Sequence, residues 1–381
     1  EIAETADRIR ALGFFETVQI ESRAGRTPGQ AIVDVDVVEQ PTGSLSFGAS
    51  YSSDTGPGLI FGFSETNFLG RGQALSFDVS IGTSDQNTQL TFTEPFFLDR
   101  NLSVSFSIFY QTTDFEDQNF DTTSLGFSTS ATFPLNESTL MTLRYELGTD
   151  TRSNTSADTS AIILAESGTV TTSEIGYRLN FDTRRQGLDP TRFVRLSFGQ
   201  DVAGLGGEAQ YIRNELTGVA QREILQGDVT IRAAGELGAV FSFGDYDTRV
   251  PDRYFNNSRK IRGFRPRGIG PRDTEAVDEN FLGGNYQAFL RLEAEFPLGL
   301  PEEYGISGGV FADFGSIWGL DVDCVGCVTP VDDGFELRSS VGFAVLWTTA
   351  IGPLRFNFAI PVAENALDET RNFNFDIQAR F

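Results

Sequence analysis

From Thr42 to the last residue, apolar and polar positions alternate with a period of two. In the first such segment Leu45, Phe47, Ala49 and Tyr51 fall on one face and Ser44, Ser46, Gly48 and Ser50 on the other. In the last, Phe373, Phe375, Ile377, Ala379 and Phe381 oppose Asn372, Asn374, Asp376, Gln378 and Arg380. This period is the signature of a strand with one apolar face. Sixteen segments follow it, near 43–52, 57–66, 71–83, 86–96, 101–113, 120–133, 138–149, 170–183, 191–201, 208–222, 228–243, 284–297, 304–317, 335–348, 352–361 and 371–381. The second face carries Ser, Thr, Asn and Gly, not another hydrophobic layer. A barrel that gives its apolar face to lipid and its polar face to a wet lumen accommodates both, and closure removes the exposed sheet edges. The pattern therefore predicts an all-β fold over 42–381, a sixteen-stranded antiparallel transmembrane barrel. Short turns such as Leu98-Asp99-Arg100 and Pro134-Leu135-Asn136 alternate with long connections such as Thr151–Ser167 and Phe243–Gly283, as in outer-membrane barrels. Strands nine and ten have the poorest apolar face, with Ile212, Asn214, Leu216 and Gly218 in the outward set.

Residues 1–40 read differently. Ile2, Ala3, Ala6, Ile9 and Leu12 recur at helical spacing, with Gly13 as a C-cap, and 15–22 and 31–39 form two strands around a turn from Gly25 to Gly29. This predicts a small α+β unit. Its helix starts in mid-stride, so the N-terminus is expected to be a cut, with room for a signal peptide upstream.

Composition narrows the function. The 381 residues include 29 basic and 53 acidic side chains, for a net charge of −24, which disfavours nucleic acid as a partner. Histidine is absent, excluding Ser-His-Asp and Cys-His catalysis and histidine-ligated metal or haem. There is no Walker loop and no G-x-G-x-x-G, so neither an enzymatic activity nor a cofactor is expected. Cys324 and Cys327 lie in Asp-Cys-Val-Gly-Cys. They could be a redox dithiol, half a zinc site or a small loop disulfide; with no second pair and no histidine, the disulfide is the simpler reading. Asp321, Asp323, Asp332 and Asp333 could attract Ca²⁺ or form an acidic exposed loop, and the second reading needs no ion. No metal site is expected.

One connection does not suit a passive pore. Between strands eleven and twelve, at about 244–283, the stretch from Asp247 to Arg272 holds eight basic residues and two acidic ones. It includes Ile261-Arg262-Gly263-Phe264 and Gly268-Ile269-Gly270-Pro271-Arg272. A basic, Gly-rich hairpin in an acidic barrel would be drawn to carboxylates on the inner wall, where guanidinium can bond through two parallel donors. The alternative is a solvated loop meeting anionic lipopolysaccharide.

Ile261-Arg262-Gly263-Phe264 resembles the loop-six signature of the BamA family, the core subunits of the outer-membrane β-barrel assembly machine of Gram-negative bacteria. Leu12-Gly13-Phe14-Phe15-Glu16-Thr17-Val18 is similar to the end of that family's last POTRA domain, and Thr42-Gly43-Ser44-Leu45-Ser46-Phe47-Gly48 to its first barrel strand. Gly283-Gly284-Asn285, the run Phe311 to Trp318 (including Gly315) and Gly352-Pro353-Leu354-Arg355-Phe356 resemble its strands twelve, thirteen and fifteen. The resemblance covers essentially the whole chain, with a partial POTRA domain at 1–40. It implies that loop six lies in the lumen, with Arg262 held against Asp313 and Phe311 and with Glu293 as a further acidic contact. A wet lumen should soften the cost of breaking that pair to roughly 1–3 kcal/mol. Relatives often carry a glycine near the end of the last strand; Gln378 stands there in this sequence.

The function implied is an insertase that folds β-barrel precursors into the outer membrane through a weak seam between strands one and sixteen. Its partners would be unfolded outer-membrane protein precursors, accessory lipoproteins, the lipid bilayer and lipopolysaccharide, with the POTRA remnant in the periplasm. Leu45, Phe47, Ala49 and Tyr51 would offer a template edge, facing Phe375, Ile377, Gln378 and Phe381, with Phe47 placed near Ile377. A TamA-type assembly factor, an FhaC-type polypeptide secretion transporter and a passive porin are the alternatives.

Overall fold

A computed structural model describes residues 2–27, 29–115, 120–153, 159–186, 191–275, 280–322, 331–349 and 352–380. Helix α1 (Ile2–Ala11) precedes strands β1 (Phe15–Ala24) and β2 (Ala31–Glu39), which pair with each other as an antiparallel hairpin. The barrel follows as β3 (Gly43–Ser52), β4 (Gly56–Phe68), β5 (Gln73–Gly82), β6 (Asp85–Glu94), β7 (Ser103–Phe115), β8 (Phe120–Asn136) and β9 (Thr139–Ser153). After a short helix α2 (Ala161–Ala165) come β10 (Gly168–Asp182), β11 (Phe193–Ala203), β12 (Tyr211–Ile224) and β13 (Val229–Ser242). Loop six contains the two-residue strand β14 (Gly263–Phe264), and β15 (Tyr286–Pro297), β16 (Ile306–Trp318), β17 (Arg338–Thr349) and β18 (Gly352–Ala363) continue the wall. Another two-residue strand, β19 (Thr370–Arg371), leads into β20 (Phe373–Arg380). The sixteen wall strands pair as antiparallel neighbours and close where β20 meets β3.

Every predicted barrel strand is present, and the alternation assigns the faces as expected. Leu45, Phe47, Leu59, Ile108, Phe343 and Ile360 are exposed on the outside. Asp313, Ser340, Glu174 and Asn357 are buried within. The weak outward face of strands nine and ten has its own solution: Gln200 and Asn214, opposite each other on β11 and β12, hydrogen-bond at 2.7 Å. Two polar groups on a lipid-facing wall thus satisfy one another.

Buried apolar residues gather where loop six meets the wall and the outer loops. Phe120, Ile162 and Ile163 pack with Val250 and Leu282, while Ile261, Phe264 and Ile269 pack with Phe289 and Ile317. Loop six thus brings into the barrel a hydrophobic centre that the polar inner wall could not form alone.

Candidate functional site

Loop six runs from the end of β13 at Ser242 to the start of β15 at Tyr286. At its centre Arg262 is 1% exposed and Asp313 is completely buried. The guanidinium donates to Asp313 through Nε at 2.7 Å and Nη2 at 2.6 Å, the two parallel bonds that an arginine fork allows. The backbone N–H of Arg262 adds a third bond to the same carboxylate at 3.0 Å. Nη1 donates to Glu293 at 2.9 Å, and the plane lies 3.4 Å from the Phe311 ring centroid. On the other side, Ser340 Oγ donates to the Arg262 carbonyl at 2.6 Å. β15, β16 and β17 therefore each contribute to one cluster. The burial of Arg262 and Asp313 corrects the expectation of a wet, softened pair, and the Phe311 ring covers the guanidinium.

The glycines serve this geometry. Gly263 has φ +91°, and a Cβ there would stand 3.0 Å from the Ser340 Cβ and 3.4 Å from the Ala359 Cβ. Gly315 leaves space for the Phe289 ring, which would lie 2.1 Å from an added Cβ. Gly263→Ala is expected to destabilise the barrel by about 1–3 kcal/mol, because an L side chain at this φ is strained whatever room it finds. The temperature at which the compact unboiled gel band converts to the unfolded one measures this, and an unchanged temperature would contradict it.

Sequence reading did not find Arg355, whose Nη2 bonds Glu293 at 2.6 Å, so that two arginines share one carboxylate. Neither did it find what happens at the outer end of the seam. Asp54, just after β3, accepts from Ser258 of loop six through N–H at 3.0 Å and Oγ at 2.6 Å. The same carboxylate pairs with Arg371, just before β20, and Arg371 also donates to the Ser53 carbonyl at 2.7 Å. β14 pairs with β19, Gly263 opposite Arg371 and Phe264 opposite Thr370. Arg265 and Gly268 exchange backbone bonds with Glu369 at 2.8 and 2.9 Å. Loop six therefore touches both sides of the seam above the ladder itself. Arg371→Ala should raise amide exchange at Ser53 and Phe375 by about tenfold, given the ~1.4 kcal/mol expected for a partly buried charge-assisted bond. Hydrogen-exchange mass spectrometry reads this directly, and unchanged exchange there would remove the clasp.

The ladder of the seam is short. Asp376–Arg380 pair with Ser52–Gly48, Gln378 opposite Ser50, whereas β3 pairs with β4 from Gly43 to Ser52. Among the described residues, Gly43–Phe47 thus have no ladder partner on the β20 side. Leu45, Phe47, Ala49 and Tyr51 are exposed on the outer face, and the Tyr51 and Phe375 rings lie 6.0 Å apart. Ile377 stands opposite Tyr51, not near Phe47 as the sequence suggested. A slip of four residues keeps every side chain on its face, so alternation alone could not reveal it. Phe381, Cys324, Cys327 and Asp323 lie outside the described residues. Asp321 is engaged by Ser242 and Thr248, and Asp333 accepts from the Leu320 N–H at 2.8 Å. Burial pushes the Asp321 carboxyl up, but the donors from Ser242, Thr248 and Asn285 outweigh it and hold the group below its usual range.

Comparison with known proteins agrees with this architecture. The Omp85 superfamily domain matches residues 67–381. Outer membrane protein assembly factor BamA of Neorickettsia risticii is 28% identical, over 100% of this chain and 50% of that protein. BamA of Neisseria meningitidis is 24% identical, over 100% of this chain and 52% of the relative. The chain thus spans about half the length of these curated relatives. The crystal structure of BamA from Haemophilus ducreyi lacking POTRA domains 1-3 superposes with a TM-score of 0.85 at 22% identity, over 100% of this chain and 78% of that one, a likeness of fold.

Proposed function

Given that the chain belongs to the Omp85 superfamily and is an integral outer-membrane barrel, we propose that it is a non-enzymatic assembly factor that folds and inserts other β-barrel proteins through the seam between β3 and β20. The observation that carries this reading is the uneven pairing of β3, complete toward β4 and, among the described residues, limited to Gly48–Ser52 toward β20. A precursor strand in the membrane has unpaired backbone groups that lipid cannot satisfy, each at a cost of several kcal/mol. The edge of Gly43–Phe47, which among the described residues has no ladder partner toward β20, offers those groups partners by strand addition, with the outward residues giving the register.

The strands at the seam are short: β20 has 8 described residues and β3 has 10, whereas β8 has 17. At about 3.3 Å per residue and a tilt near 40°, the ten residues of β3 cover roughly 25 Å of bilayer, less than the ~30 Å hydrocarbon core. Lipid beside the seam would thin to match, lowering the barrier to insertion. Loop six, clamped by Arg262 and joined to Asp54 and Arg371, would set how far the seam opens. Partners in this reading are unfolded outer-membrane precursors and accessory lipoproteins of the assembly machine.

The test is insertion of a radiolabelled barrel precursor into proteoliposomes containing the purified protein. Acceleration over empty liposomes, lost when the precursor's terminal strand is deleted, is expected. Equal rates with and without the protein would reject assembly activity, and stable single-channel conductance without acceleration would favour a pore.

A further inference from the structure

Beside the Arg262 cluster lies a second concentration of positive charge that is only partly neutralised. Two adjoining lumenal cavities of about 240 and 180 Å³ share Arg259 and Arg291 in their linings. The larger is also lined by Arg232, Arg262 and Arg355, and Glu293 is its single lining carboxylate. The smaller adds Arg195 and Lys260, with Glu236 as its carboxylate. Arg262 and Arg355 already divide Glu293 and Asp313 between them, and Lys260 reaches Glu236 at 3.3 Å. Arg291 approaches Asp313 and Glu293 only at 3.9 and 4.0 Å, and its buried Nε donates no hydrogen bond. The guanidinium groups of Arg232 and Arg259 have no hydrogen bond or ion pair among the described residues, and that of Arg195 has the carboxylate of Asp182, opposite it on β10, as an electrostatic partner without a hydrogen bond. Seven cations thus line the two cavities with Glu236 and Glu293, and Asp313, Glu295 and Asp182 are the further carboxylates beside them, leaving cations in excess in a chain whose net charge is −24.

Like charges held together on a low-dielectric wall repel and gain nothing from one another unless an anion joins them. Their layout suggests which anion. Arg195 on β11 and Arg355 on β18 are six strand spacings apart around the wall, about 29 Å of arc at ~4.8 Å each. Arg232 on β13 and Arg291 on β15 lie between them, with Arg259 of loop six above. A single phosphate would occupy only one point of such a band. An extended chain, advancing about 3.3 Å per residue, could span the ~23 Å chord of this arc with about seven residues, and carboxylates match the forked donors of arginine.

We propose that this lumenal band docks an extended acidic polypeptide segment, a site separate from the seam edge and independent of the assembly reading. The probe is a fluorescein-labelled deca-glutamate peptide, titrated against the purified protein in zwitterionic micelles and followed by anisotropy. Binding that weakens with added salt, with deca-glutamine failing to bind, is expected. The double variant Arg232→Gln, Arg259→Gln should bind about tenfold less tightly, while its thermal unfolding stays the same or moves upward because repulsion is relieved. The inference is overturned if deca-glutamate does not bind, if the double variant binds it equally well, or if inorganic phosphate displaces it at equal charge concentration. A fall in the double variant's thermal stability would overturn it too, by making the arginines structural. None of these readouts involves precursor insertion, so failure here and failure of the assembly reading are told apart.

Discussion

Arg262→Ala is expected to cost the barrel about 3–5 kcal/mol, the range for removing one partner of a buried ion pair. The reason is what stays behind. Asp313, completely buried, would keep only the Arg262 backbone N–H at 3.0 Å and the more distant Arg291. Arg262→Lys should recover only part of this, since an ammonium cannot reproduce the bonds from Nε and Nη2 together or lie flat against Phe311. Exchanging the charges by Arg262→Asp with Asp313→Arg is a poor rescue. The new aspartate would face Glu293, and the backbone N–H of residue 262 would lose its carboxylate acceptor. The loss should persist in high salt, because buried pairs are screened little. Heat conversion of the compact gel band and precursor insertion by the same variants measure both effects. If Arg262→Ala converts at the wild-type temperature, the cluster does not hold the loop.

The second large effect is expected at the seam. Tyr51→Cys with Ile377→Cys places two thiols on directly opposed residues of an antiparallel ladder. Their Cα atoms should lie about 4.5–5.5 Å apart, inside the range a disulfide bridges. Phe47 is four positions further along β3, roughly 13 Å away, and a Phe47→Cys partner for residue 377 would not close. Oxidation of the correct pair should reduce precursor insertion to the level of empty liposomes while the barrel remains compact on an unboiled gel, and reduction should restore activity. Insertion by the oxidised protein at the uncrosslinked rate would mean that substrates do not enter between β3 and β20.

The strands were legible because a transmembrane barrel writes its two environments into alternate residues, from Leu45 and Ser46 onward. Arg262, Asp313 and Glu293 were legible through the resemblance of their surrounding motifs, and parity already put both carboxylates on the inner face. The register of the closing pair was not, since any even slip preserves the alternation. The partners of Asp54 were equally hidden. Ser258 and Arg371 are 204 and 317 residues away in sequence, and nothing in an isolated Asp, Ser or Arg announces such a meeting. Arg355 was quoted within a motif, but its bond to Glu293 depends on how the wall curves, which periodicity does not encode. The cation surplus was visible only as a basic loop; Arg195, Arg232 and Arg355 join it from strands far apart in the chain.

The position of loop six also constrains the order in which this chain reaches its own fold. Its centre is enclosed by β15, β16 and β17, and its flank is bonded across the place where the first and last barrel strands meet. A loop of some forty residues enters an unclosed cylinder far more easily than a finished one. Arg262 is therefore expected to find Asp313 before β20 comes to rest on β3. The contact between Asp54 and Arg371, with one of the longest sequence separations in the molecule, is then made last, when the entropy of closing that loop is already offset by the packed interior.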